Sequence, residues 1–338
     1  MIEITHNFPL RQYNTFGIDV DAKYYARITS VKDIHELVRS NVFNTQSGFI
    51  LGGGSNVLFT KHFDGLIIHS DIKGIEVVQE NSGSVLLKAG SGVLWDDLVD
   101  YSVSHGWGGL ENLSVIPGNV GAAPVQNIGA YGVEAKDTIT EVHGFDLKKT
   151  EVHVYSNAEC EFDYRNSIFK RTLKNRFIVT HVLFRLRKSP HTLVTHYGPV
   201  EQMLDKEQER SISVMRKLIR KIRDSKLPDV RQTGNAGSFF KNPVVPKELS
   251  EKLKLGYPDM PVYPADKSGS KLSAAWLIEK SGCKGIQMGN AGSYRNQPLV
   301  LINLGNAKGT EILRLADHIR DKVFKTFRVS LEPEVQII

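Results

Sequence analysis

"IPGNVGAAPVQNIGAYGVE", residues 116–134, holds four glycines and three alanines among nineteen residues, and it is longer than a simple turn requires. Gly118, Gly121, Ala122 and Ala123 let a ligand come close to the backbone. Gln126 and Asn127 offer amide hydrogen bonds, and Gly129 and Gly132 flank Tyr131, whose ring offers a flat face. A second glycine stretch lies upstream, "LGGGSNVLF" at 51–59, directly after an apolar run. Gly52, Gly53 and Gly54 remove the side chains that would hold a phosphate away from backbone N–H groups. This stretch is neither G-x-G-x-x-G nor a P-loop, and taken alone a tight turn explains it as well as an anion cradle does. Together, two backbone cradles with amides and an aromatic ring point to a dinucleotide with a planar head.

The segments around these loops set the fold class. Before and between them, "YYARI", a helix from about Val31 to Arg39 with Ile34, Leu37 and Val38 inward, "GFIL" and "GLIIHS" alternate strand and helix signals. From Gly74 to about Arg187 strands dominate, with one helix signalled by Leu94, Trp95, Leu98 and Val99. Pro228 is expected to end the helix before it and open a new domain. Beyond it, helices at "KLSAAWLIEKSG" and "GTEILRLADHIRDKVFKTF" flank the strand "LVLINL", and the tail "RVSLEPEVQII" alternates like an edge or bulged strand because of Pro333. An α+β protein is expected: a small α/β unit over the first seventy residues, a strand-dominated α+β domain after it, and a new domain beyond Pro228.

Composition narrows the function classes. The chain of 338 residues is 41% hydrophobic and long enough for two or three domains. Its apolar runs are strand-length, short of the roughly 18 residues of a membrane span. The first residues carry no secretory-signal pattern, so a cytoplasmic protein without membrane partners is expected. Cys160 and Cys283 give neither C-x-x-C nor metal-ligand spacing, so two reduced thiols and no metal are expected. The net charge of +6 is dispersed except in "RKLIRKIRDSK" at 216–226. There Ile212, Met215, Ile219 and Ile222 make one apolar helix face, and Arg216, Lys217, Arg220 and Lys221 are expected on a solvated one. No nucleic-acid partner is inferred from it, while a modest positive balance suits a small anionic ligand.

Two further stretches hold chemistry-bearing residues. "CEFDYRNSIFK" at 160–170 sets Tyr164 beside Arg165, a guanidinium able to hold a carboxylate through two bonds. "GNAGSFFKNP" at 234–243 is nearly repeated as "GNAGSYRNQP" at 289–298, so Ser238 and Ser293 compete for one role.

Read in order with "YRNSIFK", "KLPD" and "LEPEV", these stretches resemble the UDP-N-acetylenolpyruvoylglucosamine reductase family (UDP-N-acetylmuramate dehydrogenases) of bacterial peptidoglycan precursor synthesis. The resemblance runs from "NTFGID" at 14–19 to "LEPEV" at 331–335, and "THYGPV" around Tyr197 is similar to the longer, first type of the family. It implies an α+β FAD-binding fold of the vanillyl-alcohol-oxidase type (PCMH type), with residues 1–70 and 71–227 as two flavin-binding subdomains, the second completed by 328–338, and 228–327 as an α/β substrate-binding domain; it also implies non-covalent FAD, NADPH as co-substrate, UDP-N-acetylglucosamine enolpyruvate as substrate, and a monomer. Ser55 and Asn56 join the glycine loops as implied flavin contacts. Ser238 matches the family's proton donor, Arg165 its enolate-stabilising arginine and Glu334 the acidic partner. Tyr164, Tyr197, Arg223, Lys226, Asn242 and Gln297 match positions around the sugar nucleotide. By the same resemblance Ser293 is a coincidence of composition. Ala122 and Ala123 stand where some members have serine, so by the resemblance a flavin phosphate there leans on backbone N–H groups, and Gln336 stands where some have a basic residue.

Two other readings stay open in the sequence. An oxidase of the same fold acting on an alcohol or sugar often tethers FAD through histidine, and neither glycine loop holds one. A non-catalytic nucleotide or nucleic-acid binder leaves "GNAGSFFKNP" and "LEPEV" without a purpose.

Overall fold

A computed structural model describes residues 2–265 and 269–338. By internal packing the chain divides into two units. One comprises the residues up to Phe8, Ala22–Gly54 and Phe63–Arg223; the other comprises Pro9–Asp21, Ser55–His62 and Asp224–Ile338.

The first unit is built on two sheets. In the four-stranded sheet, Asp21–Ile28 and Gly48–Leu51 both run parallel to Phe63–Ser70, which lies between them. Parallel neighbours need a crossover, and the helix Val31–Val38 supplies it. Ser30 and Asp33 form a capping box that satisfies the helix's first N–H groups, and Ile34 and Leu37 are buried with Ala26, Ile28, Leu66 and Ile68. The expected helix and strands are thus present.

The five-stranded antiparallel sheet has Phe177–Arg187 at its centre, paired with Ile139–Asp146 on one side and Ser84–Gly90 on the other. Its other face-covering element is the helix Trp95–Ser104, with Trp95, Leu98 and Val99 in the core and Asp96 and Asp97 in the first turn, where the helix dipole favours acids. Phe145 and Ile178 of this sheet pack into the core of the parallel sheet, which ties the two layers together.

The basic helix Ile212–Lys226 ends two residues before Pro228, because the residue preceding proline is pushed out of the helical region. One sequence expectation fails on it. Arg216 is not solvated: it is 7% exposed, its guanidinium meets both oxygens of Asp96 at 2.7 and 3.1 Å, and it reaches Asp100. Burial pushes Asp96 upward, but the hydrogen bonds from Arg216 and the Val115 N–H outweigh it and hold the carboxyl below its usual range.

The second unit holds a four-stranded antiparallel sheet in which Val300–Asn303 lies between Gly234–Ser238 and Ala291–Ser293, with Gln287–Met288 outermost. A three-stranded sheet, the helix Ala274–Lys280 and the long helix Gly309–Phe327 complete it. The tail contributes only a short strand, Gln336–Ile337, parallel to Val57–Leu58, and Pro333 bridges to Phe240. Both cysteines are buried and unpaired, and burial pushes the Cys160 thiol up to about 12. Among the described residues no helix is long and apolar enough to cross a membrane, and no acidic, histidine or cysteine group could hold a metal.

Candidate active site

The two glycine stretches, some sixty residues apart in sequence, meet in the first unit. A Cβ added to Gly53 would lie 2.7 Å from the Asn119 side-chain oxygen and 3.0 Å from the Gly118 Cα, so the backbones touch there and a side chain at 53 is excluded. A Cβ on Gly52 would sit in ordinary contact with Ala122. Gly121 packs with equal closeness on Ser91, whose hydroxyl is paired with Ser70. Ala123 is buried, whereas Gly52, Gly118 and Ala122 keep part of their surface.

Downstream in the second stretch the chain is pinned rather than free. Asn127 is fully buried; its amide donates to Glu134 (3.0 Å) and to the Asp163 carbonyl (3.2 Å) and accepts from the Lys136 N–H (3.0 Å). Its side chain therefore shapes the loop, and what it can offer a ligand is backbone. Asn127, Tyr131 and Arg165 all have positive φ, a conformation that costs a non-glycine residue energy and recurs at functional loops. Arg165 folds back onto this turn, donating to the Gly129 carbonyl at 2.5 Å, with Tyr164 against its guanidinium. A guanidinium carries five N–H groups in a planar fork, so one edge can hold the loop while another faces an anion.

Tyr131 stands edge-on to Tyr197, with ring centroids 6.3 Å apart, and burial raises its hydroxyl pKa against the opposing pull of Arg223. Asn112, which sequence reasoning missed, is buried between these loops and donates to both the Tyr131 and the Val194 carbonyls at 2.9 Å. No composition signal marks it; only the fold brings 112, 131 and 194 together.

In the second unit Ser238 ends its strand exposed to solvent. The "LEPEV" tail lies alongside: the Glu334 N–H donates to the Phe239 carbonyl at 2.8 Å, and Asn56 donates to the Glu334 carbonyl at 3.2 Å. Ser238, Glu334, Ser55 and Asn56 thus belong to one local assembly. Lys226 is exposed at the end of its helix. Asn242 accepts from the Ala274 N–H at 3.0 Å, fixing the start of a helix, and the Gln297 side-chain oxygen is buried without a partner. Ser293, by contrast, is 3% exposed, with its hydroxyl accepting from the Ile286 N–H and donating to the Cys283 carbonyl.

A family model for the C-terminal domain of UDP-N-acetylenolpyruvoylglucosamine reductase matches residues 229–338, and one for an FAD binding domain matches 22–154, which include both glycine loops. The chain is 43% identical to the UDP-N-acetylenolpyruvoylglucosamine reductase of Flavobacterium johnsoniae over the full length of both proteins. The chain belongs to the UDP-N-acetylenolpyruvoylglucosamine reductase family. Identity to the Bacteroides fragilis reductase is 45%, covering 98% of this chain and 99% of that one, and to the Neisseria gonorrhoeae reductase 42%, covering 99% and 97%. The fold matches the crystal structure of the UDP-N-acetylenolpyruvylglucosamine reductase from Thermus caldophilus with a TM-score of 0.67 at 23% identity, over 100% of this chain and 98% of that one.

The residues present fit the flavin that the reductase family and its FAD-binding domain imply. Two loops meet backbone to backbone where a Cβ would close the gap, and the Asn119 oxygen beside them is buried with no partner.

Proposed function

We propose that the chain is an NADPH-dependent flavoenzyme of the cytoplasm that reduces the enolpyruvyl group of UDP-N-acetylglucosamine enolpyruvate to the lactyl ether of UDP-N-acetylmuramate. The observation that carries this reading is the identity of 43% over the full length of a reductase of that name. A bound FAD supplies the two-electron relay between NADPH and the enolpyruvyl double bond. Gly52–Gly54 and Gly118–Ala123 would hold its diphosphate, and Gln126, Gly129, Tyr131 and Gly132 the remainder.

The chain's own residues then have two tasks. Hydride arriving at the terminal methylene carbon spreads negative charge from the adjacent carbon into the carboxylate, and a fixed positive charge lowers the barrier where that charge grows. We assign this task to Arg165, whose fork is already oriented by the Gly129 carbonyl, and give Glu334 the role of acidic partner. The adjacent carbon must next receive a proton from one side. Ser238 is assigned as the donor: a serine hydroxyl is a weak acid, but an enolate carbon is basic enough to take its proton. Tyr164, Tyr197, Arg223, Lys226, Asn242 and Gln297 are assigned to the sugar nucleotide. The buried, unpartnered Gln297 oxygen supports its place, because a polar atom kept dry without a bond costs stability unless a ligand completes it.

The test is direct. Purified protein mixed with NADPH and UDP-N-acetylglucosamine enolpyruvate should consume the nicotinamide absorbance, and no consumption with flavin-loaded protein rejects the reading. Yellow colour released on denaturation confirms non-covalent flavin; colour retained by the chain favours the tethered oxidase alternative.

A further inference from the structure

We propose that Asn112 is a positioning residue for the enolpyruvyl substrate: by bridging two loops with one side-chain amide, it sets where Tyr197 stands. The inference rests on the substrate reading above, in which Tyr197 belongs to the sugar-nucleotide site. Residues 188–199 form neither helix nor strand, so the stretch that carries Tyr197 takes its place from the neighbours it touches. Asn112 is one of them. It is 1% exposed, and its amide nitrogen donates at 2.9 Å to the Tyr131 carbonyl and at 2.9 Å to the Val194 carbonyl. The two N–H bonds of one planar amide diverge at a fixed angle, so the backbone at 131 and the backbone at 194 are held relative to each other.

The side chains continue the link. Tyr131 stands edge-on to Tyr197, and its hydroxyl is hydrogen-bonded to Arg223, a second residue assigned to the sugar nucleotide. A Cβ on Gly132 would lie 3.2 Å from Val194 Cγ1 and 3.3 Å from His196 Nε2, so the two stretches already pack against each other. Tyr131 and Leu193 both rest on the cluster that includes Val200, Leu204, Met215 and Ile219, which gives the two loops a common base. The Asn112 oxygen is buried with no partner, and turning the amide over would set that oxygen against two carbonyl oxygens. A leucine would fill the volume without an unpaired oxygen; what the amide gives in return is the bridge.

The experiment is stopped-flow oxidation of the reduced, flavin-loaded enzyme over a range of enolpyruvyl substrate concentrations, with NADPH-driven flavin reduction measured beside it. Asn112→Leu keeps the volume and removes both donors; Asn112→Ser, which admits water to both carbonyls, is used should the leucine variant not fold. The half-saturating substrate concentration should rise roughly tenfold, while the limiting oxidation rate and flavin reduction stay within about threefold. In a Tyr197→Ala background the same substitution should raise it no further, because no ring is left to place. A rise that recurs in that background, equal slowing of both half-reactions, or an unchanged half-saturation would each mean that Asn112 only packs, and any of them overturns the proposal alone. Wild type whose reduced flavin is not oxidised by the enolpyruvyl substrate overturns the substrate reading itself and the proposal with it.

Discussion

Gly234–Ser238 and Ala291–Ser293 carry the same residue order and flank the same strand, Val300–Asn303, yet their serines point to opposite faces of the sheet. Ser238 is opposite Val300, and Ser293 is opposite Leu301. Residues directly opposite share a face, whereas successive residues alternate. The difference is one extra residue: a bulge between Asn235 and Ser238 shifts the first copy's register, while the second pairs regularly. Asn235, 2% exposed, accepts from the Gly237 N–H at 3.0 Å and shapes that bulge, whereas its counterpart Asn290 is exposed. One copy thus ends in an exposed hydroxyl beside the Glu334 segment, and the other in a buried hydroxyl that ties a hairpin to the Cys283 loop. A pentapeptide does not fix a role; its register does.

The largest expected effect that could break this contrast is kinetic. Ser238→Ala should leave NADPH-driven flavin reduction near wild type and slow oxidation of the reduced enzyme by the enolpyruvyl substrate at least ~100-fold, since a positioned acid contributes about that much. Ser238→Cys should regain part of the rate, because a thiol keeps the placement and is more acidic. Stopped-flow measurement of each half-reaction checks it. A slow Ser293→Ala beside a normal Ser238→Ala would reverse the assignment.

The second effect is on stability and belongs to the other copy. Ser293→Ala should leave both half-reactions within about twofold, but it takes the hydroxyl partner from the part-buried Ile286 N–H and from the buried Cys283 carbonyl. An unsatisfied buried group costs about 1–3 kcal/mol, so a lowered denaturant midpoint at unchanged turnover is expected. Sequence reading alone would have put this substitution among harmless loop changes. An unchanged midpoint would show that the hydroxyl carries no such load.

What the sequence reveals and what it hides follow the reach of each interaction. The glycine stretches are legible because two of them occur in one chain with neighbouring amides and a tyrosine, and the helices and strands because their periods are local. Arg216 is misread because its partner Asp96 lies on another helix, so an apparently solvated position is a buried ion pair. Asn119 and Asn112 escape notice because an asparagine in a loop is ordinary until its burial is known. The bulge before Ser238 is hidden for the same reason: the backbone it fits belongs to residues far upstream. A Cβ on Gly234 would lie 2.2 Å from the Phe16 carbonyl oxygen, and the Asn235 N–H donates to the Thr15 carbonyl at 2.9 Å.

The smallest expected effect sharpens the comparison through the glycine just before each serine. Gly237 has φ +67, in the left-handed region, with open space around a would-be Cβ; Gly292 has no such φ, and an added Cβ would meet the Ile286 carbonyl and the Ile302 side chain at 3.4 Å, near the close edge of ordinary contact. Alanine at 237 therefore clashes with nothing outside itself, and its cost is backbone strain of about 1–2 kcal/mol. Alanine at 292 keeps an allowed backbone and should stay within about 0.5 kcal/mol of wild type. The strain at 237 is relieved by flattening the bulge, which turns Ser238 away from its present face, so Gly237→Ala should also slow the oxidative half-reaction while Gly292→Ala does not. Denaturant titration and stopped-flow on the pair decide it: equal stability losses at 237 and 292, or a Gly237→Ala enzyme with normal substrate reduction, would mean that the bulge does not set the serine's role.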